Sequence, residues 1–195
     1  MAVTLVVEDD VTDVTARKVV AIANPQLTIA YTRVCEGSGL IRKQLPAFNN
    51  ASLATPYLII TDLDTVVCAP TLVAAWCQRI RLNPGLTFRV AVREVEDWLL
   101  ADRTAIAQFL GIAVNRVPAY PEQTPDPKRA LIQLASTSRY SGIRRAIVPV
   151  GAATQGRDYN GCLSTFVNAQ WDVHRAAANA PSLAKAVHRI GAIPP

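Results

Sequence analysis

Half of the 195 residues are hydrophobic and 18% are charged, with 9 Gly and 13 Pro. That composition supports a buried core, is too short for two full-sized domains, and excludes collagen-like, disordered and coiled-coil chains. The longest uncharged apolar-looking stretch, Val66 to Gln78, falls short of the roughly 20 residues a bilayer span needs. Glu8, Asp9 and Asp10 stand where a secretory signal would be apolar, so a cytoplasmic location is expected.

In chain order, Thr4 to Val7 is β-rich, Val11 to Asn24 helical, and Leu27 to Val34 again β-rich, closed by Glu36-Gly37-Ser38-Gly39. A second helix is expected from Leu40 to Phe48 and a buried strand from Tyr57 to Thr61. A third helix follows over Pro70 to Arg81, with Pro in its first turn, and a fourth strand over Thr87 to Arg93. This βαβαβαβ order predicts a mainly parallel, doubly wound sheet, an α/β fold of Rossmann-like type.

A helical stretch runs from Glu94 through Asp102 to Leu110. The segment Val117 to Pro127, with prolines at 118, 121, 125 and 127, reads as an ordered crossing. Helical segments are then expected over Lys128 to Ser136, Cys162 to Asn179 and Ser182 to Ile190, with a short apolar piece at Ile143 to Val148. The loop Gly151 to Gly161 is Gly-rich and polar and is placed as a mobile, substrate-facing loop. The expected organisation is an α/β domain over 1–116, with a Pro-rich crossing and helical extension over 117–195 packed on it.

Cys35, Cys68, Cys77 and Cys162 form no CxxC pair and read as buried, reduced side chains, so no structural zinc site is expected. Net charge is +5. Residues 1–120 balance 11 Lys and Arg against 11 Asp and Glu, whereas 121–195 carry 9 against 4, so the basic excess is C-terminal.

Eight of the 11 carboxylates in the first part are clustered, at Glu8-Asp9-Asp10, Asp62 and Asp64, and Glu94, Glu96 and Asp97. In an open parallel sheet, ligands bind at the carboxyl ends of the strands. Glu8 closes the first strand, Asp62 and Asp64 the third, and Glu94 and Glu96 the fourth, so all converge on one edge. The spacing of two would point both members of each pair to one side of an extended backbone. A negatively charged helix N-terminus is the competing reading for Glu94 and Glu96. Asp10 is read as the N-cap of the first helix, with Asp13 in its first turn, and Asp97 and Asp102 as surface or capping residues. Grouped carboxylates repel one another and call for a hard cation, Mg²⁺ or Mn²⁺.

The opening Leu5-Val6-Val7-Glu8-Asp9-Asp10 resembles the acidic pocket of response-regulator receivers, but the Ser or Thr and the Lys that a receiver needs after its last strands are missing. Ile59-Ile60-Thr61-Asp62-Leu63-Asp64-Thr65-Val66 resembles the first motif of haloacid-dehalogenase-type phosphatases, which would make Asp62 a nucleophile. A third resemblance covers nearly the whole chain. Glu after strand one and Asp-x-Asp after strand three resemble the TOPRIM fold of topoisomerases, primases and OLD-type nucleases. The block Arg93-Glu94-Val95-Glu96-Asp97-Trp98-Leu99-Leu100-Ala101-Asp102, followed by Asp126-Pro127-Lys128, is similar to a family of small prokaryotic TOPRIM-like proteins often encoded beside an ATPase. Asp9 departs from that pattern, which has Gly directly after the strand-one Glu.

The resemblance implies a metal-dependent nuclease acting on DNA or RNA, as the effector of an antiviral defence pair with an ATPase. Asp62 and Asp64 would hold Mg²⁺ (or Mn²⁺), Glu94 or Glu96 would complete the site, and Glu8 would serve as general base or acid. Lys128 would contact phosphate or stabilise developing charge. Among the C-terminal basic residues, Arg144, Arg145 and Arg157, in or near flexible segments, are the preferred nucleic-acid contacts. A different class of function is a non-catalytic or partner-activated subunit of an ATPase complex; the chain has no GxxxxGK[ST] loop of its own. Trp98, Phe166 and Trp171 are assigned to the core, and His174 and His188 to the surface.

Overall fold

A computed structural model describes residues 2–194. Four strands, β1 (Ala2–Val7), β2 (Thr28–Val34), β3 (Tyr57–Asp62) and β4 (Leu86–Ala91), pair in parallel in the order β2-β1-β3-β4. The fold is therefore the expected Rossmann-like α/β. Strand order reverses at β1, which sends the chain to β2 on one side and pairs with β3 on the other, so the crevice at the carboxyl ends of β1 and β3 is a topological switch point.

The alternation of side chains along each strand divides the interior in two. Val3, Leu5 and Val7 of β1 and Leu58 and Ile60 of β3 join the larger core, whereas Val6 and Ile59 face the smaller one. Helix α1 (Asp10–Ala23) buries Val11, Ala16, Val19 and Val20 in the larger core. On the opposite face lie α2 (Ser38–Ala51), through Ile41 and Leu45, and α3 (Ala69–Trp76), through Leu72. Asp9, not Asp10, is the N-cap of α1: its extended backbone lets the carboxylate accept from Thr12 N and Oγ1, both at 2.8 Å, while Asp10 is already helical.

Helix α3 ends at Trp76, short of the expected Arg81. Ile80 and Leu82, two residues apart, pack against the smaller core as only non-helical chain allows. The stretch from Glu94 to Leu110 is two helices, α4 (Val95–Ala101) and α5 (Arg103–Leu110). They part at Asp102, whose carboxylate leaves α4 to cap α5 at Ala105 N. Short 3-10 turns at Val114–Arg116 and Pro121–Gln123 carry the crossing to α6 (Pro127–Ser136), which Asp126 caps and Pro127 starts.

The apolar piece at Ile143 belongs to a helix, α7 (Ser141–Ile147). The loop after it stops at Asp158, because Tyr159 already begins α8 (Tyr159–Ala169). That loop is also tethered: Gly156 donates to Ile147 O at 2.9 Å and is packed so closely that a Cβ would lie 2.1 Å from Ala146 O. The expected helix from Cys162 to Asn179 divides into α8 and α9 (Val173–Ala177). Trp171 turns inward between them to donate to Trp98 O (3.0 Å), and Asp172 caps α9. The chain closes with α10 (Pro181–Gly191).

Helix α8 lies on α1, and α10 lies on both α1 and β4. Trp98, Phe166 and Trp171 are all in the larger core, as expected, and Trp98 Nε1 donates to Ser182 Oγ at 2.7 Å. Cys35 and Cys162 are buried and Cys77 half-buried, but Cys68 is exposed at the start of α3, where its residue serves as the N-cap position. Among the described residues no helix is long and apolar enough to cross a membrane.

Candidate functional site at the carboxyl edge of the sheet

Glu8 follows β1 directly and Asp62 is the last residue of β3, so the two flank the switch point. One Glu8 oxygen accepts from Thr61 Oγ1 and from Asp62 N, the latter at 2.8 Å. Burial raises the Glu8 pKa above its ordinary value; the bonds from Thr61 and Asp62 oppose this, and Asp64 and Asp9 reinforce it. Asp62 Oδ1 accepts from Val95 N at 3.0 Å, which ties the end of β3 to the start of α4. Burial, and then the charges of Glu96, Glu8, Asp9 and Asp64, hold Asp62 well above the usual aspartate range.

The two pairs spaced by two residues are not extended. Asp64 lies past β3 with φ +52°, a left-handed conformation that Asp tolerates better than most residues, and is exposed. Strand β4 ends at Ala91, so Glu94 is the N-cap residue of α4 and Glu96 sits in its first turn. Their divergence follows from the helical turn. Glu94 Oε2 reaches across to accept from Lys128 N at 3.0 Å, joining the starts of α4 and α6. Glu96 is buried beside Asp62 and accepts from Tyr159 OH at 2.8 Å; burial pushes its pKa up to about 7. Asp97 is fully buried, not a surface residue: it accepts from Arg93 N at 2.5 Å, its other oxygen has no partner, and burial pushes its pKa up to about 8.

Lys128 stands 4.9 Å above the Tyr159 ring. With Glu94, Arg129 and Thr154 it lines a cavity of about 560 Å³ beside the acidic edge. The Arg93 guanidinium is spent on backbone carbonyls, those of Asp64 (3.0 Å) and Val66 (2.8 Å). Among the described residues, no Lys or Arg forms an ion pair with Glu8, Asp62, Asp64, Glu94 or Glu96.

Of the three arginines expected to grip nucleic acid, Arg157 lies in the loop before α8, as expected. Arg144 and Arg145 lie in the last turn of α7, not in a flexible segment, and Arg144 is bonded to Ser138 O. Arg145 and Arg157 are exposed. His174 and His188 are exposed, as expected.

Two partners of the carboxylates lay outside the sequence reading. Thr61 had a visible signal, a hydroxyl within the otherwise apolar run Leu58-Ile59-Ile60 just before Asp62. Tyr159 had none, since its contact with Glu96 spans 63 positions.

The donor set is all carboxylate oxygen, which suits a hard divalent cation. Glu8, Asp62, Glu94 and Glu96 each commit one oxygen to hydrogen bonds within the described chain and leave the other free of them. Among the described residues, however, no group of three or more His, Cys, Asp or Glu side chains is drawn together to hold a metal ion. The chemistry of the donors fits Mg²⁺ or Mn²⁺; their assembly is incomplete.

An α/β protein with a carboxylate crevice at its switch point is the class that fold and site define. No family model matches the chain, and neither a curated protein nor a solved structure is found similar to it.

Proposed function

We propose that the acidic edge is the active site of a cation-dependent phosphodiesterase acting on DNA or RNA. The observation that carries this reading is the meeting of Glu8 and Asp62 across the switch point, with Glu96 beside Asp62 and, among the described residues, no Lys or Arg ion-paired to the group. Asp62 and Asp64 would hold Mg²⁺ or Mn²⁺, with Glu94 or Glu96 completing the set; such an ion would supply charge neutralisation at phosphate oxygens.

The remaining work falls to the chain itself. Thr61 fixes the Glu8 carboxylate, and burial, by raising its pKa, makes its free oxygen a stronger base toward an attacking water. Lys128 and Arg129, which line the adjoining cavity, would offer positive charge to a phosphate, and the exposed Arg145 and Arg157 would add to it.

A second reading, a subunit activated by a partner such as an ATPase, is favoured by one observation: the carboxylates are not drawn into a ready metal-holding group. The two readings separate in one experiment, incubation of purified protein with plasmid DNA or total tRNA and Mg²⁺ or Mn²⁺. Cation-dependent cutting, lost in Glu8→Ala and in the isosteric Asp62→Asn with both variants still melting cooperatively, is the expected result. Absence of cutting on both substrates overturns the stand-alone enzyme and leaves the partner-activated one.

A further inference from the structure

A second feature lies away from the acidic edge, on the face where α10 crosses β4. Lys185, His188 and Arg189 occupy positions i, i+3 and i+4 of α10, so they share one side of the helix. Across from them Arg89 rises from the middle of β4. These four side chains line a cavity of about 470 Å³ that contains no acidic residue. None of the four side chains makes an ion pair or side-chain hydrogen bond among the described residues, and the half-buried Arg89 has its Nε sealed from solvent without a partner. A guanidinium held so beside another, Arg189, is an expense the fold does not need.

Arg89 and Lys185 also form the rim of a neighbouring cavity of about 610 Å³. Its wall is apolar, made by Val73, Phe88, Val90 and Val92. Both volumes fall within the range of small-molecule sites. One carboxylate, Glu122, lines the apolar cavity, and it gives one oxygen to Ser182 N at 2.7 Å, so the start of α10 is already satisfied. Its second oxygen is left as an acceptor.

We propose that this face binds a nucleoside polyphosphate, with the base in the apolar cavity and the phosphates on Arg89, Lys185 and Arg189. The ligand must be anionic at one end to meet three cations and largely apolar at the other to fill the Phe88 cavity. It must also carry donors for Glu122, as ribose hydroxyls or base amines do. A fatty acid lacks the donors and inorganic polyphosphate lacks the body. The site is separate from the acidic edge and does not depend on the phosphodiesterase reading.

The test is calorimetric titration of the full chain, in EDTA, with ATP, GTP, CTP and UTP, and separately with tripolyphosphate and a single-stranded oligonucleotide. At least one nucleoside triphosphate is expected to bind tenfold or more tightly than tripolyphosphate. Lys185→Gln and Arg189→Gln, both at exposed positions, are each expected to weaken it tenfold or more. Ala74→Phe, which narrows the apolar cavity without touching a cation, is expected to do the same while leaving tripolyphosphate unchanged. Arg89→Gln is expected to abolish binding yet melt no lower than the parent without ligand, because no hydrogen bond or ion pair holds that guanidinium among the described residues. Equal binding of nucleoside triphosphate and tripolyphosphate, binding of the oligonucleotide alone, or no binding at all overturns the proposal.

Discussion

Asp102 and the acidic edge treat buried carboxylates in opposite ways. At the C-terminal end of α4, Asp102 receives Arg175 Nε (3.1 Å) and Nη2 (2.8 Å), with Asp172 N (2.9 Å) and Ala105 N (3.3 Å) completing its shell. At the N-terminal end of the same helix, Glu96 has one phenol and Asp97 one backbone N–H with an orphaned oxygen. Beyond them, Asp62 and Glu8 are bonded only to neutral groups. The chain thus neutralises a buried carboxylate with arginine where it needs a structural joint and withholds the cation at the switch point. That difference marks the first as architecture and leaves the second without an ion-pair partner among the described residues.

Breaking the joint gives the largest expected effect. Arg175→Met strands a carboxylate whose side chain is 1% exposed, although the guanidinium itself is 56% exposed; an uncompensated buried charge costs up to about 3 kcal/mol where water reaches its partner. Urea unfolding at pH 7 checks this, and adding Asp102→Asn to Arg175→Met should recover part of the loss. If Arg175→Met unfolds at the parent's midpoint, the joint is not structural.

Removing charge at the other end of α4 should have the opposite sign. The folded-state pKa of Glu96 is raised from 4.5 to about 7. Its contribution is therefore greatest below about pH 4.5 and is lost as pH rises through about 7. In metal-free protein, Glu96→Gln should match the parent near pH 4.5 and exceed it at pH 8 by on the order of 3 kcal/mol. Mg²⁺ or Mn²⁺ should flatten the parent's pH dependence and leave that of the variant less changed. A parent whose stability rises between pH 5 and pH 8 would overturn the assignment.

The contrast was half legible in the sequence. Glu8 directly after β1 and Asp62 at the end of β3 stand where apolar runs meet acidic residues, and the βαβ order puts both strand ends on one edge; the Glu94 to Asp97 block lies beyond the end of β4 at Ala91. The orientation of each carboxylate did not. Whether Glu96 belongs to a strand or to the first turn of a helix rests on β4 ending at Ala91, and the exposure of Asp64 on one left-handed residue. The pairing of Asp102 with Arg175, the bonds that tie α6 and α8 to α4, and the seat of α10 on β4 are set by packing over separations of 30 residues or more. Capping motifs show where those helices begin, but not which partner each one meets.

The smallest effect expected isolates a single bond in that packing. Tyr159→Phe removes the donor to Glu96 Oε1 and little else, since the ring stays buried in the larger core. The phenol favours the ionised carboxylate, so its loss should move the pH midpoint of destabilisation above the parent's value. The stability cost should be about 1 to 2 kcal/mol at pH 8, where Glu96 is charged, and smaller at pH 5, where it is protonated. Thermal melts of parent, Tyr159→Phe, Glu96→Gln and the double variant close a cycle. With Gln at position 96 the tyrosine still finds an acceptor, but the charge is gone and the pH dependence of its contribution should vanish with it. A cost for Tyr159→Phe that is identical at pH 5 and pH 8 would mean that the hydroxyl serves only the packing of α8, not the charge at the switch point.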